Sequence, residues 1–234
     1  MVRVDTVYQR VLALVNKEQR GYITPQEFNL FAGHAQSAIF EQYFYDFNQF
    51  GRMPGSTNQF SDMTDILKEK IAIFKQKDTL QPIGQPGAYY YPNNMYRLGT
   101  VFAQSYGYLC EVEPVTDNEL LNMNKSYLAK PTDKRPVYTI DTNGIHITPI
   151  SGYTNVSATY IRKPMDPNWT YTVVGDKALY NGSALDHQDF ELHESEEASL
   201  VLKILALAGI ELQSPELYQT AGQEDVKNIQ QEKA

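Results

Sequence analysis

The feature that most constrains this chain is a change of pattern at Leu80. Before it, apolar residues recur at helical spacing; after it, Pro82, Gly84, Pro86, Gly87 and Pro92 interrupt any helix. The runs that follow, Tyr89 to Tyr91, Tyr96 to Phe102 and Tyr108 to Val112, are rich in the aromatic and β-branched residues that suit a pleated surface. Apart from a short stretch after Thr116, helical spacing returns at Ser195. This order implies an α+β fold with an amino-terminal helical bundle, a central antiparallel β region, and a carboxy-terminal helix followed by an extended tail. The expected parts are 1–79, 80–193 and 194–234, together forming one subunit.

Within the first part, Val4, Val7, Val11, Leu14 and Val15 mark one helix. A second starts at Thr24, where Thr24 and Glu27 can cap each other's amides and Pro25 fills the first helical position. Its expected apolar stripe is Phe28, Phe31, Ala35, Ala38, Ile39, Gln42 and Tyr43, running to about Phe47. Residues 51–58 read as a linker. Met63, Ile66, Leu67, Ile71 and Phe74 then predict a third helix ending near Asp78.

The β region carries its own punctuation. Thr116-Asp-Asn-Glu119 repeats the reciprocal cap ahead of Leu120, Leu121 and Met123, predicting a short helix. Val137 to Asp141 and Ile145 to Thr148 flank Thr142-Asn143-Gly144, a hairpin signal. Further strands are expected at 157–162, 171–174 and 190–193. Ser195 then caps a helix with Glu196 and Glu197 in its first turn and Gly209 at its end. That helix is apolar nearly all round, so Leu205 is expected to be buried in the subunit or at an interface.

Composition excludes some functions. The net charge is −8, which removes the usual electrostatic source of affinity for nucleic acid or anionic membrane. No run approaches the length of a membrane span, and the start lacks the apolar core of a signal peptide. Cys110 is the single cysteine, so no intrachain disulfide can form, and synthesis in a cytoplasm is expected.

No catalytic or phosphate-binding motif accompanies the four histidines, His34, His146, His187 and His193, and no enzyme activity is expected. One cluster resembles a metal site: on a strand, His187, Asp189, Glu191 and His193 would share a face. An ordinary amphipathic strand with Phe190 and Leu192 inward gives the same pattern, so no metal or cofactor is expected. Trp169, beside Pro164 and Pro167, fits an interface hot spot and a core position equally. The tail has too little apolar surface to fold alone. Its anchors, Leu212, Leu217, Tyr218, Val226 and Ile229, suit a segment that grips a partner.

Residues 16–43, 160–171 and 189–209, with the Gln-Gln-Glu-Lys ending, resemble virion structural proteins of crAss-like phages. Within that group the chain looks like the ring protein that docks under the portal. The resemblance implies a head-to-tail connector in the virion: a homo-oligomeric ring whose carboxy-terminal segment reaches onto the portal protein. It also implies contact with neighbouring tail or neck proteins, and genomic DNA that passes during ejection without specific binding. Another neck or tail ring protein of the same virion, and a β-rich carbohydrate- or receptor-binding module, are the alternative readings.

Overall fold

The structure is a computed structural model and describes residues 1–17, 23–50, 63–105, 107–150, 153–175 and 177–211. It has the expected α+β order of helices, sheet and closing helix. The chain forms two compact units, Met1–Ile73 with Pro164–Ala234, and Phe74–Lys163. Their boundaries differ from those expected at 79/80 and 193/194. The β unit is inserted into the helical one, because residues after Lys163 return to the helices instead of extending the sheet.

In the helical unit, α1 (Val4–Lys17) buries Val4, Val7, Tyr8, Val11 and Val15, while Leu14 is exposed. Next comes α2 (Pro25–Phe50), which opens on the expected reciprocal cap. The Thr24 amide donates to Glu27 Oε2 at 2.8 Å and the Glu27 amide to Thr24 Oγ1 at 3.3 Å. These bonds hold the Glu27 carboxyl below the usual carboxylate range. The buried face of α2 is Phe28, Ala32, Ala35, Gln36, Ile39, Phe40, Tyr43 and Asp46. It is rotated from the expected stripe, with Phe31 and Gln42 half-buried and Ala38 exposed. The true face includes Gln36 and Asp46, which a search for apolar spacing passes over.

Packed against α2 are α3 (Met63–Ala72) and α5 (Glu197–Glu211), and α5 also meets α1. No residue of α5 from Leu200 to Gly209 is exposed, as its all-round apolar sequence requires. Leu205 is among the buried ones. Gly209 does not end the helix: it keeps a helical conformation and α5 continues to Glu211. Nor does Ser195 cap it. A 3-10 turn, Glu194–Glu196, precedes α5, and the His193 side chain accepts from the Ser195 amide.

The β unit holds a curled seven-stranded sheet. Its strands are β1 (Lys75–Thr79), β2 (Ala88–Tyr90), β3 (Met95–Ser105), β4 (Tyr108–Pro114), β5 (Val137–Asp141), β6 (Gly144–Thr148) and β7 (Tyr153–Arg162). They run in the order β1-β7-β3-β4-β5-β6-β2. All pairs are antiparallel except the short parallel contact of β4 with β5. The expected third helix therefore stops at Ala72, and residues 75–79 form an edge strand on β7. Every β1 side chain is exposed, so the strand has no apolar alternation to reveal it; backbone pairing with β7 decides its conformation.

The Val137–Thr148 hairpin forms in the expected register, with Thr142 and Asn143 in the turn and Gly144 paired to Asp141. Gly144 serves a close approach: a Cβ there would collide with the carbonyl of Tyr89, whose strand lies beside it. The sheet's interior is Leu80, Val101, Ala103, Val112, Tyr138, Ile145, Ile147, Val156 and Ala158.

A second hairpin, β8 (Tyr171–Val174) with β9 (Lys177–Tyr180), belongs to the helical unit. The strand expected at 190–193 is absent, since Phe190, Glu191 and Leu192 are buried in succession instead of alternating. Their backbone partners lie far away in sequence. The Phe190 amide donates to Val2 O and the Glu191 amide to Gln36 Oε1 at 2.9 Å.

Candidate functional site

The metal-like row does not assemble. Glu191 turns inward, where its Oε2 accepts from the Met165 amide at 2.8 Å, while His193 is exposed. His187 Nε2 lies 3.6 Å from Asp189 Oδ1 and 3.3 Å from the Tyr180 hydroxyl. Asp189 Oδ1 also accepts from the Val4 amide at 2.8 Å, placing a carboxylate on the first amide of α1. Each member of the row thus has a separate structural task. Among the described residues, no three His, Cys, Asp or Glu side chains are grouped as a metal site.

The other histidines form no catalytic pair. His34 is exposed on α2, and His146 Nε2 stands 3.7 Å from Asp141 Oδ2 at the sheet surface. His193 Nδ1 is 3.0 Å from Ser195 Oγ, but both residues are exposed and the same ring nitrogen caps the 3-10 turn.

Trp169 is taken up by the core of its own unit, which removes it from the candidate interface residues. It is buried, with the Tyr8 ring centroid 4.3 Å away and Tyr171 and Tyr180 stacked at 5.7 and 5.8 Å. Its Nε1 donates to Asp5 Oδ1 at 3.0 Å, satisfying the indole as burial demands. Asn29 grips its backbone: Asn29 Oδ1 accepts from the Trp169 amide at 2.8 Å, and Nδ2 donates to Trp169 O at 3.2 Å. Gln36 does the same two turns further along α2, donating to Met165 O at 2.7 Å and accepting from the Glu191 amide. Sequence reasoning missed Asn29, Gln36 and Glu191 as structural anchors. The one available signal was a pair of amides on an otherwise apolar helical face. Leu212, Leu217, Tyr218, Val226 and Ile229 lie outside the described residues.

The β unit presents a different kind of surface. Between β4 and β5 the chain leaves the sheet to form α4 (Asp117–Lys125) and returns through residues 126–136. Its cap is the one the sequence predicts: the Thr116 amide donates to Glu119 Oε2 at 2.8 Å, and the Glu119 amide to Thr116 Oγ1 at 3.4 Å. As in α2, these bonds lower the glutamate pKa. Yet α4 buries none of its residues. Leu121, Tyr127 and Leu128 are 60%, 102% and 100% exposed, so this arm carries bare apolar side chains.

A cavity of about 850 Å³ lies in the same unit, lined by Ser105, Tyr108, Cys110, Thr132, Asp133 and Lys134. Nearby Tyr153 has its phenol pushed up to about 12, first by burial and then by the charge of Asp133. The hydroxyls of Ser105 and Tyr153 are buried without a hydrogen-bond partner among the described residues. This is a hollow with polar spots in its wall, and none of the described residues that line it is a histidine.

No family model matches the chain, and no curated protein is significantly similar to it. Among the described residues, no helix is long and apolar enough to cross a membrane.

Proposed function

We propose that the chain is a non-catalytic virion subunit, a head-to-tail connector that assembles as a homo-oligomeric ring, docks to the portal protein and forms part of the DNA passage. The observation that carries the assembly part is the arm. An isolated helix shorter than about 12 residues is marginal in water, and α4 buries no residue fully within its own subunit, only half-burying Leu120 and Met123. Bare Leu121, Tyr127 and Leu128 give a second copy something to cover. A surface that meets a different surface on the next copy closes into a ring when the rotation allows it.

The net charge of −8 supports a passage that DNA traverses without sticking. The virion setting and the portal as partner come from the resemblance of residues 16–43, 160–171 and 189–209. In this reading the segment from Ser214 onward holds the portal through Leu217, Tyr218, Val226 and Ile229. A different neck or tail ring of the same virion would use the same arm with another partner.

Native mass spectrometry of the purified chain, alone and with a portal protein, tests the proposal. A closed ring that binds the portal is expected. The combined variant Leu121→Ser, Tyr127→Ser and Leu128→Ser should stay folded and become monomeric; a variant ring of unchanged copy number would remove the arm from the interface. Truncation after Leu212 should leave the melting temperature in place and abolish portal binding.

A further inference from the structure

The curl of the sheet brings its two edges toward each other. Past the end of β1, the Leu80 amide still donates to Val156 O on β7 at 2.8 Å. One residue later, Gln81 O accepts from the Tyr90 amide on β2 at 2.8 Å, and Ile83 N donates to Ala88 O at 2.9 Å. Residues 80–83 therefore bridge from the β7 side to β2, and a cleft of about 420 Å³ opens at this seam. Asp78, Gln81, Tyr90, Tyr91, Asn93 and Tyr160 are among its lining residues.

The chemistry of that lining is selective. Tyr160 donates to Asp78 Oδ2 at 2.5 Å and Tyr91 donates to Asp141 O at 3.1 Å. With both hydroxyls committed to protein acceptors, these side chains are fixed in place; Tyr160 is buried, and half-buried Tyr91 is the one of the two with ring surface to offer the cleft. Tyr90 is 50% exposed, a further ring at the mouth. Gln81, Asn93 and Asp78 are exposed and add planar amide and carboxylate groups, which can pair with adjacent hydroxyls. Among the described residues no Lys, Arg or His lines the cleft, while the Asp78 carboxylate does, which disfavours an anionic ligand.

We propose that this cleft binds a neutral saccharide, with its apolar ring face on the tyrosines and its hydroxyls on Asp78, Gln81 and Asn93. Aromatic faces beside planar hydrogen-bonding groups match a sugar ring, which is apolar on its faces and polar around its rim. The cleft's volume exceeds the needs of a single small ammonium group, and the N–H donors of Gln81 and Asn93 match a ligand with hydroxyl acceptors, which a cation lacks. The site is independent of the arm and of ring assembly.

A panel of neutral oligosaccharides built from glucose, galactose, mannose and N-acetylglucosamine tests this, read by saturation-transfer NMR and calorimetry on the full-length chain. At least one should bind with a saturable isotherm. Tyr90→Ala should weaken that binding about tenfold, the loss of one ring's stacking. Asn93→Ala should weaken it as well, and Tyr127→Ser, on the arm, should not. Tyr90 and Asn93 are exposed, so both variants should fold, and an unchanged far-ultraviolet spectrum verifies it. The proposal is overturned by failure of every saccharide at millimolar concentration, or by binding that ignores Tyr90→Ala and Asn93→Ala.

Discussion

Helices α2 and α4 begin with the same chemistry and end in opposite circumstances. Each starts at a threonine whose hydroxyl accepts from a glutamate amide three residues on, while that glutamate's carboxylate returns to the threonine amide at 2.8 Å. From this common start α2 runs for 26 residues and α4 for nine. The first is covered by α3 and α5 and buries a continuous face; the second buries no residue fully and half-buries only Leu120 and Met123. A cap fixes where a helix starts, and burial decides how much of the protein's stability depends on it. Variants that unequally disturb the two helices test this contrast.

The largest effect should come from Leu205→Asp on α5. Leu205 is buried in the unit that holds α2, and an unpaired carboxylate there should cost about 3 to 5 kcal/mol. Urea denaturation measures it, and a fully stable variant would mean that α2 does not depend on its cover. Next is Gln36→Leu, which keeps the volume of a buried side chain but strands Met165 O and the Glu191 amide. A loss of about 2 to 3 kcal/mol is expected, because each orphaned buried group bears its own desolvation cost. An unchanged midpoint would show that residues 164–193 are held by something other than α2.

The matched pair comes third. Thr24→Ala should lower global stability by about 1 kcal/mol, since the cap belongs to a helix in the core. Thr116→Ala should leave the global midpoint unmoved and only speed amide exchange in residues 117–120. Equal midpoint shifts in the two variants would erase the distinction drawn here.

Acid should act in the same unequal way, with a smaller effect. Glu27 and Glu119 have lowered pKa values in the folded chain, so their caps stabilise fully above the ordinary carboxylate value and fade as pH falls through the lowered one. Between about pH 5 and pH 3, α4 amides should lose protection while α2 amides keep theirs. Tyr160 titrates in the opposite sense. Burial, then the hydrogen bond and charge of Asp78, push its phenol up to about 12, so the stability it lends is complete below pH 10 and is lost as pH rises toward 12. Tyr160→Phe should remove a late step from the phenolate absorbance titration.

Much of this was legible because it depends on neighbours in the chain. Both capping boxes, the 137–148 hairpin, the apolar helix 197–211 and the α+β order follow from residues within a few positions of one another. The departures share another cause. Residues 75–79 look like the end of a helix, but a partner strand some 80 residues away makes them β1. Residues 187–193 alternate as a strand should, yet Gln36 and Val2 take their amides and Glu191 turns inward.

By itself the sequence determined where α2 and α4 start, which class of fold results, and a net charge of −8. These are local or summed properties. Only the tertiary structure decided that Trp169 belongs to a core, that Leu121, Tyr127 and Leu128 stay bare, and that Asp78, Tyr90 and Tyr160 line one cleft. Each of those outcomes depends on which distant segment covers a side chain or leaves it open. A sequence pattern records that a residue can be buried; the neighbour that buries it is chosen by the packing of the whole unit.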